Sequence, residues 1–178
     1  MREIALHILD IVQNSLVAQA QNIWITILED TPKDQLVVTI RDDGKGMDKE
    51  TVRKVADPFY TTRTTRRVGL GLPLLQANTL ACGGDLKIDS VLGKGTTIEA
   101  TFGLKHIDRP PLGDMAATLV SFLSGSPDVD FFYCHQRDQN SFRLSTVEIK
   151  NNLAGLAVNH PEVLAWLQDF IREKEAKL

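Results

Sequence analysis

Asp10, Asn14, Asp42, Gly44, Gly46, Gly69, Gly71 and Thr96 are the residues whose types and spacing suit chemistry. Asp42 opens the run Asp42-Asp43-Gly44-Lys45-Gly46-Met47 at the end of an apolar strand. Its carboxylate is suited to accept a hydrogen bond from the exocyclic amine of adenine, and Gly44 and Gly46 let the backbone turn close to a base. Taken alone the run is weak, because Asp-Gly is a common turn. Asn14 lies between Val12 and Leu16 in a helical pattern. Its side-chain oxygen suits Mg²⁺, a hard ion that shares itself with substrate phosphates, although a helix-surface amide is the plain alternative. Gly69-Leu70-Gly71-Leu72 joins a polar stretch to a helix start, where free N–H groups and the helix dipole attract phosphate. Arg63, Arg66 and Arg67 in that stretch either add charge to the phosphates or are solvated surface. With Gly93-Lys94-Gly95-Thr96 further on, these elements in this order predict a site for ATP and Mg²⁺.

The elements that must position these residues follow from periodicity. Residues 2–20 place Ile4, Leu6, Ile8, Leu9, Ile11, Val12, Leu16 and Val17 at helical spacings. Ile23, Ile25 and Ile27 alternate with Trp24, Thr26 and Leu28, and Leu36 to Ile40 follow a Pro-Lys-Asp turn, which predicts a β-hairpin. A short helix over 48–56 starts at Asp48 and ends at Pro58. The stretch 57–68 has neither period and is expected to be a mobile loop. A helix over 70–81 ends at Gly83-Gly84, and strands over 85–90 and 96–104 turn around Leu92 to Gly95. This order predicts a two-layer α/β sandwich of the α+β kind, a sheet covered on one face by helices.

Pro110-Pro111 interrupts the pattern at 105–112. Beyond it the spacing predicts a helix over 113–124, strands over 129–135 and 142–148, and a helix over 161–176. In the last helix Pro161 suits the first turn, and Val163, Leu164, Leu167, Phe170 and Ile171 form an apolar stripe expected to be core. The division expected is an ATP-binding domain over 1–104 and a small C-terminal α/β extension over 105–178.

The 178 residues are 43% hydrophobic, enough for one good core and a small second one. A net charge of −3 leaves no basic footprint for nucleic acid. No apolar run has the length of a membrane span, and the start lacks the basic and apolar regions of a signal peptide. Cys82 and Cys134 fit no metal spacing and are expected to be reduced thiols of a cytoplasmic protein.

The chain resembles the ATP-binding domain shared by histidine kinases, gyrase-type ATPases, Hsp90 chaperones and mismatch-repair ATPases, the Bergerat fold. The resemblance covers about residues 1–104. The helix 4–20 is similar to the N box, with Asn14 as its metal asparagine. Asp42 to Gly46, with Met47 beside it, resembles the first glycine box, and Pro58-Phe59-Tyr60-Thr61-Thr62-Arg63 the F box. Gly69 to Leu72 resembles the second glycine box and Gly93 to Thr96 the last. The implied nucleotide contacts are Asn14, Asp42, Gly44, Gly46, Met47, Phe59, Thr62, Arg66, Gly69, Leu70, Gly71, Leu72 and Thr96, with Arg63 and Asp10 in catalytic roles. Asp10 stands one turn before Asn14, where the hydrolysing branches have a glutamate that activates water. Being shorter, it is open to three readings: base, second metal ligand, or polar helix surface.

Asp57-Pro58-Phe59-Tyr60-Thr61-Thr62-Arg63 and Gly69-Leu70-Gly71-Leu72-Pro73-Leu74-Leu75 resemble the histidine-kinase branch most. Transfer of the γ-phosphoryl group is then implied. The usual histidine-bearing domain ahead of the N box is not seen. His106-Ile107-Asp108-Arg109-Pro110-Pro111-Leu112 resembles an acceptor box in part, but the paired prolines oppose a long helix and a linker is expected. The function expected is a cytoplasmic kinase module that phosphorylates a separate signalling protein. The alternatives are a nucleotide-controlled binding switch and a slow ATPase that dimerises.

Overall fold

The computed structural model describes residues 3–55 and 71–178. Six strands form one sheet in the order β3-β4-β2-β1-β5-β6. The strands are β1 (Asn22–Asp30), β2 (Gln35–Asp42), β3 (Asp85–Val91), β4 (Gly95–Gly103), β5 (Asp130–Arg137) and β6 (Asn140–Ser145). The helices are α1 (Ile4–Val17), α2 (Lys49–Val55), α3 (Gly71–Ala81), α4 (Met115–Gly125), α5 (Thr146–Asn152) and α6 (Pro161–Glu175). The pair β1–β5 is parallel and all other pairs are antiparallel, so the sheet is mixed.

Alternation explains the two faces. Ile23, Ile25 and Ile27 of β1 are wholly buried, as are Phe131 and Tyr133 of β5 and Leu36, Val38 and Ile40 of β2. They meet Ile4, Ile8, Ile11 and Val12 of α1 and Leu119, Leu123, Leu167 and Ile171 of α4 and α6 in one core. Each such side chain contributes about 1.5–3 kcal/mol by leaving water. The intervening residues face the other way, where Trp24 stacks on its parallel neighbour Phe132 at 5.4 Å and Arg41 lies 5.0 Å over the indole. The expected sandwich with helices against one sheet face is therefore observed, and the core continues into 105–178 instead of ending at 104.

The Pro110-Pro111 stretch has a structural use. The carbonyls of Pro111 and Leu112 accept from the N–H groups of Ile4 and Ala5 at 2.9 and 2.8 Å, satisfying the first free amides of α1. The chain then enters α4, capped by Asp114, whose carboxylate accepts from Ala117 N at 2.8 Å and pairs with Arg172. The hairpin β1–β2 and the helices α2, α3, α4 and α6 agree with expectation. The strand expected over 142–148 stops at Ser145, and α5 begins there. Thr146, wholly buried, accepts from Phe131 N at 2.9 Å and donates to Asp130 Oδ1 at 3.3 Å, which turns the chain off the sheet.

Two buried histidines set the pH dependence of this core. His135 lies between two carboxylates, Nε2 at 3.0 Å from Glu29 and Nδ1 at 2.7 Å from Glu175, while Arg137 grips Glu29 and the Tyr133 hydroxyl donates to Glu175. Burial opposes charge on His135, yet the hydrogen bonds to Glu175 and Glu29 raise it to about 9. Glu29, hydrogen-bonded by His135 and Arg137, is held down at about 2. His7 on α1 accepts from Asn78 of α3 at 2.8 Å, and burial pushes it down to about 4.

A raised histidine stabilises the fold fully below its unfolded value of 6.5 and loses that contribution as pH rises through about 9. The depressed His7 contributes above 6.5 and loses its contribution as pH falls through about 4. Stability should therefore peak near pH 6.5, read by melting temperature against pH. The substitution His135→Gln should flatten the alkaline limb between 6.5 and 9 and leave the acid limb in place.

Candidate functional site

Asp42 ends β2 and is 7% exposed. Its Oδ1 accepts from Gly44 N at 2.9 Å and from Thr96 N at 3.3 Å. Its Oδ2 accepts from the Ser15 hydroxyl at 2.7 Å. A carboxylate has about four acceptor positions, so one remains on Oδ2. Three elements thus converge on one side chain: α1 through Ser15, the loop after β2 through Gly44, and β4 through Thr96, which stands opposite Asp42 in the ladder.

The loop after Asp42 is held by close backbone approach. Lys45 N donates to Ala18 O at 2.9 Å and Gly93 N to Lys45 O at 2.7 Å, tying the loop to the end of α1 and to the β3–β4 turn. Gly46 has φ +62° and Gly95 φ +100°. A Cβ on Gly46 would stand 2.1 Å from Val91 O, and one on Gly95 2.0 Å from Asp42 O. Both positions need glycine for conformation and for space. Asp43 turns the other way, its carboxylate accepting from Gln21 N, Asn22 N and the Asn22 amide at 2.8–2.9 Å. Met47 N donates to the Ser90 hydroxyl at 2.8 Å.

Asp10 and Asn14 follow one another at a single turn of α1, with Asp10 partly buried and Asn14 exposed. The Asp10 carboxylate abuts the first residue of α3: a Cβ on Gly71 would lie 1.6 Å from Asp10 Oδ2. Leu72, the next residue of α3, packs against the core. The structure thus gathers Asp10 and Gly71 at the middle of α1, with Leu72 next in the chain, and Ser15, Asp42, Gly44, Gly46, Met47 and Thr96 about a turn and a half further on toward its C-terminal end, with Asn14 between. Phe59, Thr62, Arg63, Arg66, Gly69 and Leu70, with the expected 57–68 loop, lie outside the described residues.

The residues present fit the ligands implied. The glycines leave backbone that no Cβ could share, and Asp42 keeps an acceptor for an amine. Asn14 and Asp10 each carry side-chain oxygen, the donor type that Mg²⁺ takes together with phosphate oxygens. Ser15 and Ser90 were not anticipated. Ser15 carried a signal, a hydroxyl placed on the buried stripe of an amphipathic helix; Ser90 becomes visible only when the β3–β4 register sets it opposite Thr96.

A second feature lies in 105–178. A groove of about 440 Å³ runs between β6, α5 and α6, with Ile149, Leu153, Trp166, Leu167 and Phe170 along it. Trp166 stacks on Phe170 at 5.2 Å and is 55% exposed. His106 sits in an exposed turn after β4, outside any helix. Among the described residues no helix is long and apolar enough to cross a membrane.

The family described as "Histidine kinase-, DNA gyrase B-, and HSP90-like ATPase" matches residues 2–106. Sporulation kinase C of Bacillus subtilis (strain 168) is 31% identical over 97 residues, 54% of this chain and 22% of that protein. The sensor histidine kinase WalK of the same organism is 36% identical over 104 residues, 54% of this chain and 17% of that protein. The chain thus spans about a fifth of the length of these relatives. A crystal structure of the N-terminal domain of a DNA repair protein superimposes with a TM-score of 0.53 at 16% identity, covering 82% of this chain and 53% of that one. That likeness is one of fold, and its coverage is greater than residues 2–106 alone could supply.

Proposed function

Because this chain belongs to the histidine kinase-, DNA gyrase B- and HSP90-like ATPase family, we propose that it binds Mg-ATP between α1, the end of β2 and the β3–β4 turn, and passes the γ-phosphoryl group to a separate signalling protein. The observation that carries the reading is Asp42, buried, held by three donors from three elements, and left with one acceptor position where a base would lie. Asn14 would hold Mg²⁺, which would neutralise charge on the phosphates, and Asp10, against the start of α3, would share the ion or take the acceptor's proton. The bond from the γ-phosphorus to the β-bridging oxygen breaks, one to a histidine nitrogen or serine oxygen of the acceptor forms, and ADP leaves. The matched relatives that are named as histidine kinases support this branch. A turn conformation at His106 supports an acceptor outside this stretch.

The test is incubation with γ-labelled ATP, Mg²⁺ and proteins captured on the chain, beside an Asn14→Ala control. Label should appear on a partner and fall at least tenfold in the control. ATP binding without any labelled partner would sink the transfer step.

A second reading, a nucleotide-controlled binding switch, is favoured by the exposed apolar groove with Trp166 in a segment that shares the sheet with the nucleotide site. It expects partner affinity to change with nucleotide. The cytoplasmic location and homodimer also belong to this proposal; a dimerising ATPase would show turnover that rises with protein concentration.

A further inference from the structure

Ser90 and Ser15 lie outside the glycine boxes, yet each ends on a polar group of the base subsite. The Ser90 hydroxyl is 2.8 Å from Met47 N, 3.0 Å from Gly95 O and 2.9 Å from Thr96 Oγ1. A hydroxyl has one proton and two lone pairs. Met47 N–H occupies one lone pair, and Gly95 O, which can only accept, takes the proton. The last lone pair is then filled by the Thr96 proton, since no other arrangement satisfies all three contacts. Thr96 therefore donates to Ser90 and keeps lone pairs alone for the subsite.

The other wall is fixed in the same way. Both positions on Asp42 Oδ1 are taken by Gly44 N and Thr96 N, and Ser15 takes one on Oδ2. Ser15, 3% exposed, is also 3.3 Å from Ile11 O, but its single proton goes to the shorter, charged partner.

We propose that Ser90 is a positioning residue that sets nucleotide choice, holding the Thr96 proton so that the base subsite offers acceptors only and selects a purine with an amine at C6 over a 6-oxo purine. The proposal rests on the Mg-ATP reading and deepens it. A carboxylate with both oxygens open can take N1–H and the amine of guanine together; filling Oδ1 removes that mode. In the adenine pose, guanine would set its carbonyl oxygen against acceptors, an unpaired contact that penalises the wrong base.

The experiment measures dissociation constants of the full chain for Mg-ATP and Mg-GTP, with Mg-tripolyphosphate as a competitor lacking a base. It compares the unaltered protein with Ser90→Ala, Ser90→Cys, Ser90→Thr and Ser15→Ala. Freed from Ser90, the Thr96 hydroxyl can donate to a 6-oxo group, so Ser90→Ala should lower the ATP-to-GTP preference about tenfold. Tripolyphosphate should compete as before, and Ser90→Thr should restore the preference. Ser15→Ala, which leaves Oδ1 filled and the Thr96 proton held, should keep the preference. Should Ser90→Ala fail to fold, Ser90→Cys, whose thiol is a poor acceptor for the Thr96 proton, carries the test, with a loss of preference in the same direction expected. An unchanged preference on loss of the Ser90 hydroxyl, with all three ligands weakened together or none weakened, would overturn the proposal while ATP binding stands. No nucleotide binding by the unaltered chain would overturn the Mg-ATP reading and this proposal with it.

Discussion

Replacing Asp42 by asparagine should weaken Mg-ATP binding by at least about a hundredfold while leaving the protein folded. Asparagine keeps the shape and an oxygen that can still accept from Gly44 N and Thr96 N. Its NH₂ group then stands where Oδ2 stood, facing the Ser15 hydroxyl and the position assigned to the amine of adenine. An acceptor becomes a donor opposite a donor. Hydrogen bonds to charged groups are worth about 1.5–3 kcal/mol, and the base would lose one while an amine is left unpaired, about 3 kcal/mol in all. Ser15 can turn its proton to Ile11 O at 3.3 Å, so the folded state loses less than the complex. Calorimetric titration of both proteins reads the first effect and thermal melting the second. Equal affinities would remove Asp42 from the site.

Gly95→Ala should be the most damaging small substitution near the site, and Gly93→Ala, two residues away, a mild one. Both glycines have positive φ, +100° and +78°. A Cβ at Gly93 meets nothing within 4 Å, so that change carries conformational strain alone, about 1 kcal/mol. At Gly95 the Cβ would stand 2.0 Å from Asp42 O and 2.9 Å from the Asp43 Cα, both backbone atoms that cannot step aside without opening the β2–β4 ladder. Strain and clash together should cost about 3 kcal/mol or more, a fall in melting temperature of about 6 °C or more. Thr96 and Asp42 would separate, and nucleotide affinity should fall with them. Similar melting temperatures for the two variants would show that the turn relaxes more freely than this packing allows.

These expectations show what the sequence made legible. Periodicity placed α1, the β1–β2 hairpin and the β3–β4 hairpin because each is local, and its apolar period is read within a dozen residues. The glycine-box motifs, not the periods, pointed to Asp42 and Thr96 as candidate site residues, without showing that they face each other across a ladder, since register between β2 and β4 is set some fifty residues apart. Ser15 was visible only as part of a helix; its task depends on where Asp42 arrives. The parallel pairing of β1 with β5 was hidden for the same reason, because a crossover connection leaves no turn signal. So 105–178 was expected as an extension, and the sheet in fact runs through it.

Helix α5 is hidden in the sequence for a different reason. Ser145-Thr146-Val147-Glu148 has the spacing of a helix start, and Glu148 lies in its first turn, but Val147 and Ile149 also suit the strand before it. The burial of Thr146 against Phe131 N decides the competition, and that is a tertiary fact. His135 is similar. A histidine in an apolar strand gives no hint that Glu29 and Glu175, more than a hundred and forty residues apart, close on its two nitrogens.

Amide hydrogen exchange with and without Mg-ATP would test most directly where the nucleotide sits. Added nucleotide should slow exchange at Gly44 to Met47, at the β3–β4 turn through Thr97 and at the start of α3, and the slowing should vanish in Asp42→Asn. Slowing confined to the groove between β6, α5 and α6, or the same pattern in Asp42→Asn, would contradict the account.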